Sequence, residues 1–289
     1  MTKRILVATD FSTRSDRALR RAIYLAKSLP ASLSLVHVID EDQPKRLVDA
    51  QVETTGQLLQ EQVDGIREMD GIDCDWQVIR GGPGASLGIA AKDLGADLLV
   101  LGPHRQQTLK DVFFGTTAER TMRTSTAPIL TAKGVPNGSY KHVLLAIDMS
   151  DCSSDAIEVF NGLGIGRSAA ISLVHVFDAA AATMMTRTAV AREEISDYVN
   201  DEKRNASVAL LKFLENQPID PGNIHIVAEH GSVAATIATL AAQISADLIV
   251  VGTRGRNGAK KLFLGSVAEK IIGEGECDTL AVPPSERSN

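Results

Sequence analysis

A chain of 289 residues, 44% hydrophobic and 23% charged with a net charge of −6, holds apolar material for two cores and lacks the basic surface of a dedicated nucleic-acid binder. No apolar run reaches the roughly 20 residues that cross a membrane, and the opening MTKRILVATDF shows no secretory leader pattern, so a cytoplasmic protein is expected. Cys74, Cys152 and Cys277 are scattered and odd in number, which reads as free thiols in a reducing compartment rather than a disulfide or metal site.

In chain order, strands are expected at Arg4–Thr9, Ser32–Ile39, Asp75–Ile79, Asp97–Leu101 and Ile129–Thr131. Between them apolar residues recur at spacings of three and four, as in Ala18, Ala22, Leu25 and Ala26, which is the helical period. Aromatics make up only 4%, so Val, Ile, Leu and Ala must fill the cores. Near-continuous apolar strands separated by helices describe an α/β fold, a parallel sheet with helices on both faces. The run Arg80-Gly81-Gly82-Pro83-Gly84 follows the third strand and reads as a turn into a helix. KGVPNGSY, residues 133–140, reads as a short linker.

Beyond the linker the pattern begins again. KRILVATDFSTRSDRALRRAIYLA from Lys3 matches KHVLLAIDMSDCSSDAIEVFNGLG from Lys141, and SLSLVHVID matches AISLVHVFD. Asp10 thereby pairs with Asp148 and His37 with His175 at an offset of 138, whereas Asp97 pairs with Asp247 and Gly115 with Gly265 at an offset of 150. The growing offset places an insertion of twelve residues in the second copy, within residues 178–217. Two tandem doubly wound domains follow, 1–134 and 140–289.

Open parallel sheets bind ligands beyond the carboxyl ends of their strands, where strand order reverses. The residues after the first and fourth strands are therefore the candidates. Asp10 and Asp148 each read either as a helix N-cap or as a carboxylate for a ligand hydroxyl. In the second copy the fourth strand ends Val250-Val251-Gly252 and continues Thr253-Arg254-Gly255. Nine residues later Gly265-Ser266 opens a helix. Gly252 and Gly255 would let the main chain approach a ligand. Gly265 and Ser266 would present unpaired N–H groups at a helix N-terminus, where anions are favoured. Arg254, Arg256, Lys260 and Lys261 add positive charge beside that loop. Together they describe a phosphate cradle facing a ribose-binding carboxylate.

GTRGRNGAKKLFLGSVAE resembles the signature of the universal stress protein family: two glycines separated by two residues, nine further residues, then Gly-Ser or Gly-Thr. The first strand ending in Asp, the LVHVFD second strand and the ADLIVVG fourth strand match as well. The similarity covers nearly the whole chain, once per copy. It implies an adenine-nucleotide α-hydrolase-like fold, with each domain a five-stranded, mostly parallel sheet of order 3-2-1-4-5. It also implies ATP or another adenine nucleotide with Mg2+ as ligand, a stress-response role and an unidentified protein partner. By the resemblance Val176 contacts adenine, and Ala146, Ile147 and Asp148 hold base and ribose. Gly252, Arg254, Gly255, Gly265, Ser266 and Val267 surround the phosphates. Duplicated members of the family pack as an intramolecular pseudo-dimer, here expected through the fifth strands Ile129–Thr131 and Thr279–Val282, which buries both edges. A further homodimer stays open.

The first copy departs from the signature. The corresponding residues are Thr9, Asp10, Val38, Gly102, Arg105, Gly115 and Thr116. Arg105 stands in place of the second glycine, and Pro103 locks φ beside it. The arginine either occludes the pocket or binds an anion itself. A degenerate first site is expected, with the first domain structural or serving another ligand.

Other features have plain readings. His37 and His175 are expected as strand-end histidines with a satisfied hydrogen bond. His225 and His230 lack partners at metal-ligand spacing. Ala179–Ala182 with Met184 and Met185 reads as helix packing or loop, and Arg192–Glu194 as a solvated helix face. No nucleophile–base pair, P-loop or GxGxxG follows a strand, so catalysis is not expected beyond a slow ATPase activity. A regulatory nucleotide-binding protein leads; a scaffold without nucleotide is the alternative.

Overall fold

The computed structural model describes residues 2–103, 116–179, 181, 184–185, 188, 190–255 and 264–285. The first half runs β1 (Lys3–Ala8), α1 (Thr13–Ser28), β2 (Ala31–Ile39), α2 (Lys45–Asp70), β3 (Cys74–Arg80), α3 (Pro83–Asp93), β4 (Leu98–Leu101), α4 (Thr116–Thr124) and β5 (Ile129–Thr131). The second runs β6 (His142–Ala146), α5 (Asp151–Leu163), β7 (Ala170–Phe177), α6 (Arg192–Leu214), β8 (Asn223–Ala228), α7 (Val233–Gln243), β9 (Leu248–Gly252), α8 (Ser266–Glu274) and β10 (Asp278–Val282).

Local chemistry sets several of these boundaries. Ser12 and Ser150 open α1 and α5, accepting the N–H of Ser15 (3.4 Å) and Ser153 (3.3 Å) on their hydroxyls. Pro83 occupies the first turn of α3, where no N–H is needed. Gly71, at φ 66°, ends α2 in the left-handed conformation that an L side chain resists.

All ten strands join one sheet in the order β3-β2-β1-β4-β5-β10-β9-β6-β7-β8. Pairing is parallel within each half, so each follows the order 3-2-1-4-5. The fifth strands meet antiparallel, with Thr131 opposite Thr279 and Ile129 opposite Ala281. On the face carrying α1, α2, α5 and α6 one apolar core runs unbroken through this joint, from Ile5 and Leu59 through Leu130 and Leu280 to Leu173 and Leu210. The opposite face has a separate core in each half, around Leu99 and around Ile249.

The segment that reads as a linker is clamped. The Asp278 carboxylate accepts the N–H groups of Lys133 (2.8 Å) and Gly134 (3.0 Å), the Tyr140 hydroxyl (2.7 Å) and Arg21 Nε (2.9 Å). Arg21 also donates to Gly138 O (2.8 Å) and lies 4.2 Å over the Tyr140 ring. The Arg21 and Asp278 side chains are only 6% and 1% exposed, so each compensates a charge that water cannot reach. Burial, reinforced by Asp278, raises the Tyr140 phenol well above its ordinary value. Lys133 Nζ donates to Ile271 O (2.9 Å) and Gly275 O (2.7 Å) at the end of α8, and burial lowers its pKa to about 8.

The cysteines are free thiols. Burial pushes Cys74 up to about 12 and Cys277 up to about 11, and raises Cys152 as well, so thiolate chemistry is suppressed. Among the described residues no helix is long and apolar enough to cross a membrane.

Candidate functional site

At the end of β6 the chain turns sharply to enter α5. Asp148 Oδ1 accepts the Ser150 N–H (3.0 Å), the Ser150 hydroxyl (2.5 Å) and the Ser153 hydroxyl (2.7 Å). The cap of α5 is Ser150 rather than Asp148, and the same holds for Ser12 and Asp10 at α1. The N-cap reading of the two aspartates is thereby corrected. Each carboxylate braces the turn and stays at the strand end.

This turn forces Met149 to φ 62° and its counterpart Phe11 to φ 58°. A non-glycine residue held there stores about 1–3 kcal/mol of strain. Its occurrence at both equivalent positions marks the turn as over-determined by its surroundings. Nothing in the sequence signals it, because neither Met nor Phe favours the left-handed region.

The glycine loop answers the aspartate. A Cβ on Gly255 would lie 2.8 Å from Asp148 Oδ2, so only glycine lets the loop pass this carboxylate undisturbed. Gly252 has a packing task that the sequence does not announce. A Cβ there would meet Cys152 Sγ at 2.9 Å and Cys152 O at 3.0 Å, and one on Gly102 would meet Arg14 O at 2.7 Å. In both halves this glycine allows the fourth strand to pack against the helix after the first strand, and in the second half it also lines the cleft.

A second correction concerns Gly265. Its N–H donates to Thr253 O (2.7 Å), which closes the loop and removes this group from an anion-binding set. The N–H groups of Ser266, Val267 and Ala268 precede the first intrahelical bond of α8, from Glu269 N to Gly265 O (3.0 Å). They form the open, partially positive end of the helix. Arg254 lies beside them on the cleft wall.

All ten second-half candidates, Ala146, Ile147, Asp148, Val176, Gly252, Arg254, Gly255, Gly265, Ser266 and Val267, line one cleft of about 980 Å³ across the carboxyl ends of β9, β6 and β7. Arg256, Lys260 and Lys261 lie outside the described residues. Sequence reasoning missed the far wall, where α6 contributes Glu202, Asn205, Ala206 and Ala209. Their three- and four-residue spacing is the available signal: small and polar residues on one stripe of a helix that should carry large apolar ones. It also missed that His175 lines the cleft. The His175 Nδ1 donates to Ile147 O (2.7 Å), as His37 does to Thr9 O (2.8 Å). Arg192–Glu194 is exposed, as is Met184, while Ala180 and Ala182 lie outside the described residues. Among the described residues no three His, Cys, Asp or Glu side chains gather to hold a metal.

In the first half Thr9 is buried and its hydroxyl donates to Ser15 Oγ (3.2 Å). Asp10 Oδ1 accepts the Ser12 N–H (3.0 Å) and hydroxyl (2.5 Å), with Arg14 3.8 Å from Oδ2. Partial burial works against this charge, but the serine hydrogen bonds and Arg14 outweigh it and hold the carboxyl below its ordinary value. Phe11 stacks on His37 with ring centroids 5.1 Å apart. Val38 and Gly102 are half-buried nearby, and Thr116 begins α4. Arg105 and Gly115 lie outside the described residues.

The family model described as the universal stress protein family matches residues 1–133 and again 139–283. A universal stress protein of Bacillus subtilis is 29% identical over 146 residues, covering 50% of this chain and 99% of its own. A universal stress protein A homolog of Coxiella burnetii is 31% identical over 144 residues, covering 50% of this chain and 96% of its own. Such relatives correspond to one half of this chain. Two solved structures span both halves. A universal stress protein from Archaeoglobus fulgidus has a TM-score of 0.66 at 19% identity, covering 98% of each chain. A protein of unknown function from Pseudomonas aeruginosa has a TM-score of 0.69 at 18% identity, covering 99% of this chain and 94% of its own. At these identities the structural likeness speaks to the fold alone.

Proposed function

This chain belongs to the universal stress protein family, and from that premise we propose that its second half binds ATP or a related adenine nucleotide, with Mg2+, as a regulatory rather than catalytic event. The observation that carries the reading is the juxtaposition of Gly255 with Asp148 at the open N-terminus of α8. A loop without a Cβ, a carboxylate and unpaired N–H groups around one cleft suit a ribose hydroxyl on one side and phosphate on the other. Asp148 would accept from the ribose, while Ser266, Val267 and Arg254 would hold phosphate oxygens. Val176, Ala146 and Ile147 would pack against the base. When bound, the nucleotide supplies a polyanion beside Gly255 and the α8 N-terminus, which would change the surface offered to a protein partner. Turnover is not expected to exceed a slow hydrolysis, because Asp148, the carboxylate beside the loop, is braced by two serines and shows no role as a water-activating base.

The test is titration calorimetry of the full chain with Mg-ATP, after extraction and identification of any co-purified nucleotide. One site per chain, lost in Gly255→Arg, is the expected outcome; that substitution places in the second half the residue that stands at position 105 in the first. Absence of both binding and extracted nucleotide would leave a partner-binding scaffold whose glycine loop serves structure only.

A further inference from the structure

α6 buries one side and exposes another. It turns Leu210 to the sheet, and Glu202, Asn205, Ala206 and Ala209 line the cleft. A further side carries Arg204, Val208, Leu211 and Glu215, all exposed, Val208 by 64% and Leu211 by 55%. Their spacings of four, three and four residues put them on one narrow stripe of the helix. Glu215 belongs to the stripe because the chain keeps helical angles there, φ −51° and ψ −30°. At about 100° per residue the stripe lies on the side of α6 away from the cleft-lining residues. Ile224 of β8, 39% exposed, adds apolar surface near this edge. It stands opposite Leu173, on the sheet face that α6 covers, and β8 is the last strand of the sheet.

The stripe is self-complementary. From either end it runs charge, apolar, apolar, charge, and the two charges have opposite sign. Two copies of α6 laid antiparallel, with a two-fold axis midway between Val208 and Leu211, set Arg204 of each beside Glu215 of the other. Val208 of each then meets Leu211 of the other. Within one chain Arg204 Nη1 lies 3.0 Å from Asp201 Oδ1, an exposed pair that contributes little and is readily exchanged. Glu215 sits at the negative end of its own helix dipole, where a carboxylate is disfavoured and a cation from a second copy would offset the cost.

The first half lacks this pattern. Aligning the buried Leu59 with Leu210 places Glu53, Gln57, Gln60 and Asp64 on the matching stripe of α2. It holds no apolar residue, and both ends are acidic, so antiparallel packing there would set acid against acid. Gln60 is also engaged, accepting from Trp76 Nε1 (2.8 Å) and donating to Asp64 (2.8 Å).

We propose that the outward stripe of α6 is a self-association surface on which a second copy of this chain docks, helix against helix and antiparallel. Val208 and Leu211 form the seam, and Arg204 and Glu215 fix its register. Two apolar residues a side make a small contact, under about 1,200 Å² of buried surface, so the dimer is weak and concentration-dependent. The proposal is independent of the nucleotide reading.

Sedimentation equilibrium of the full chain without nucleotide, from about 1 μM to about 1 mM, provides the test. Wild-type protein should pass from monomer toward dimer across that range. Leu211→Asp should weaken association about tenfold or more with an unchanged melting temperature, since the side chain is exposed in the monomer. Arg204→Glu and Glu215→Arg should each weaken it by a similar factor, because each sets like charges together at both ends of the seam. Mixed in equal amounts, these two variants should associate as the wild type does, each reversed charge meeting its opposite. A chain that stays monomeric throughout, or a dimer that survives Leu211→Asp, overturns the proposal. So does a mixture that associates no better than either variant alone.

Discussion

The helix between the second and third strands is laid down differently in the two halves. In the first, α2 buries Val48, Thr55, Gly56, Leu59, Val63 and Ile66, and Trp76 of β3 fills the space beside Gly56. In the second, α6 buries Leu210 with Phe213 and Leu214 packed close by, and its preceding turns offer Ala209, Ala206, Asn205 and Glu202 to the cleft. The connection leading into the helix runs from 178 to 191 in the second half and only from 40 to 44 in the first. One topology thus serves two arrangements: large apolar side chains draw α2 onto the sheet, and small and polar ones on α6 line an open cleft. The first signature glycine does not separate the halves, since Gly102 and Gly252 both serve helix packing; the second does, with Gly255 where the first half has Arg105.

Breaking the joint should have the largest effect and tells whether the halves stand independently. Asp278→Asn leaves Arg21 buried without its counter-charge, a loss of about 3–5 kcal/mol. Calorimetric melting should then resolve two transitions; a single transition at an unchanged temperature would mean that strand pairing alone holds the halves together. A smaller loss tests the packing difference itself. Leu59→Ala in α2 should cost about 2–5 kcal/mol by denaturant unfolding, whereas Ala206→Leu in α6 should shift stability by under about 0.5 kcal/mol and narrow the cleft. Comparable costs at the two positions would refute the contrast drawn between α2 and α6. The smallest effect sharpens the glycine argument. Gly102→Ala and Gly252→Ala should each cost about 1–3 kcal/mol through overpacking, to a similar extent in both halves. A cost confined to Gly252 would refute a packing role shared by the two halves.

Much of the fold was legible in the residues. The repeat at offsets of 138 and 150 fixed two units, and apolar β-branched runs located the strands to within a residue or two, β5 at Ile129–Thr131 without error. Asp148, Gly255 and Ser266 were legible as neighbours because strand ends in a parallel sheet converge on one edge. The insertion was legible too, but not its consequence, since a helix seen as sequence does not say how far it stands from the sheet.

What the sequence determined by itself is local and periodic: element type, the repeat of the two halves, and residue types gathered at the carboxyl edge. These follow from hydrophobic period and turn chemistry, which act over a few residues. Tertiary structure alone decided the rest. The left-handed Phe11 and Met149, the occupied N–H of Gly265 and the contact between Gly252 and Cys152 depend on groups brought together by folding. So does the clamp of Arg21 on Asp278, which lie 257 positions apart in the chain. Contacts at that separation leave no period to read, and they exist only once both cores have closed.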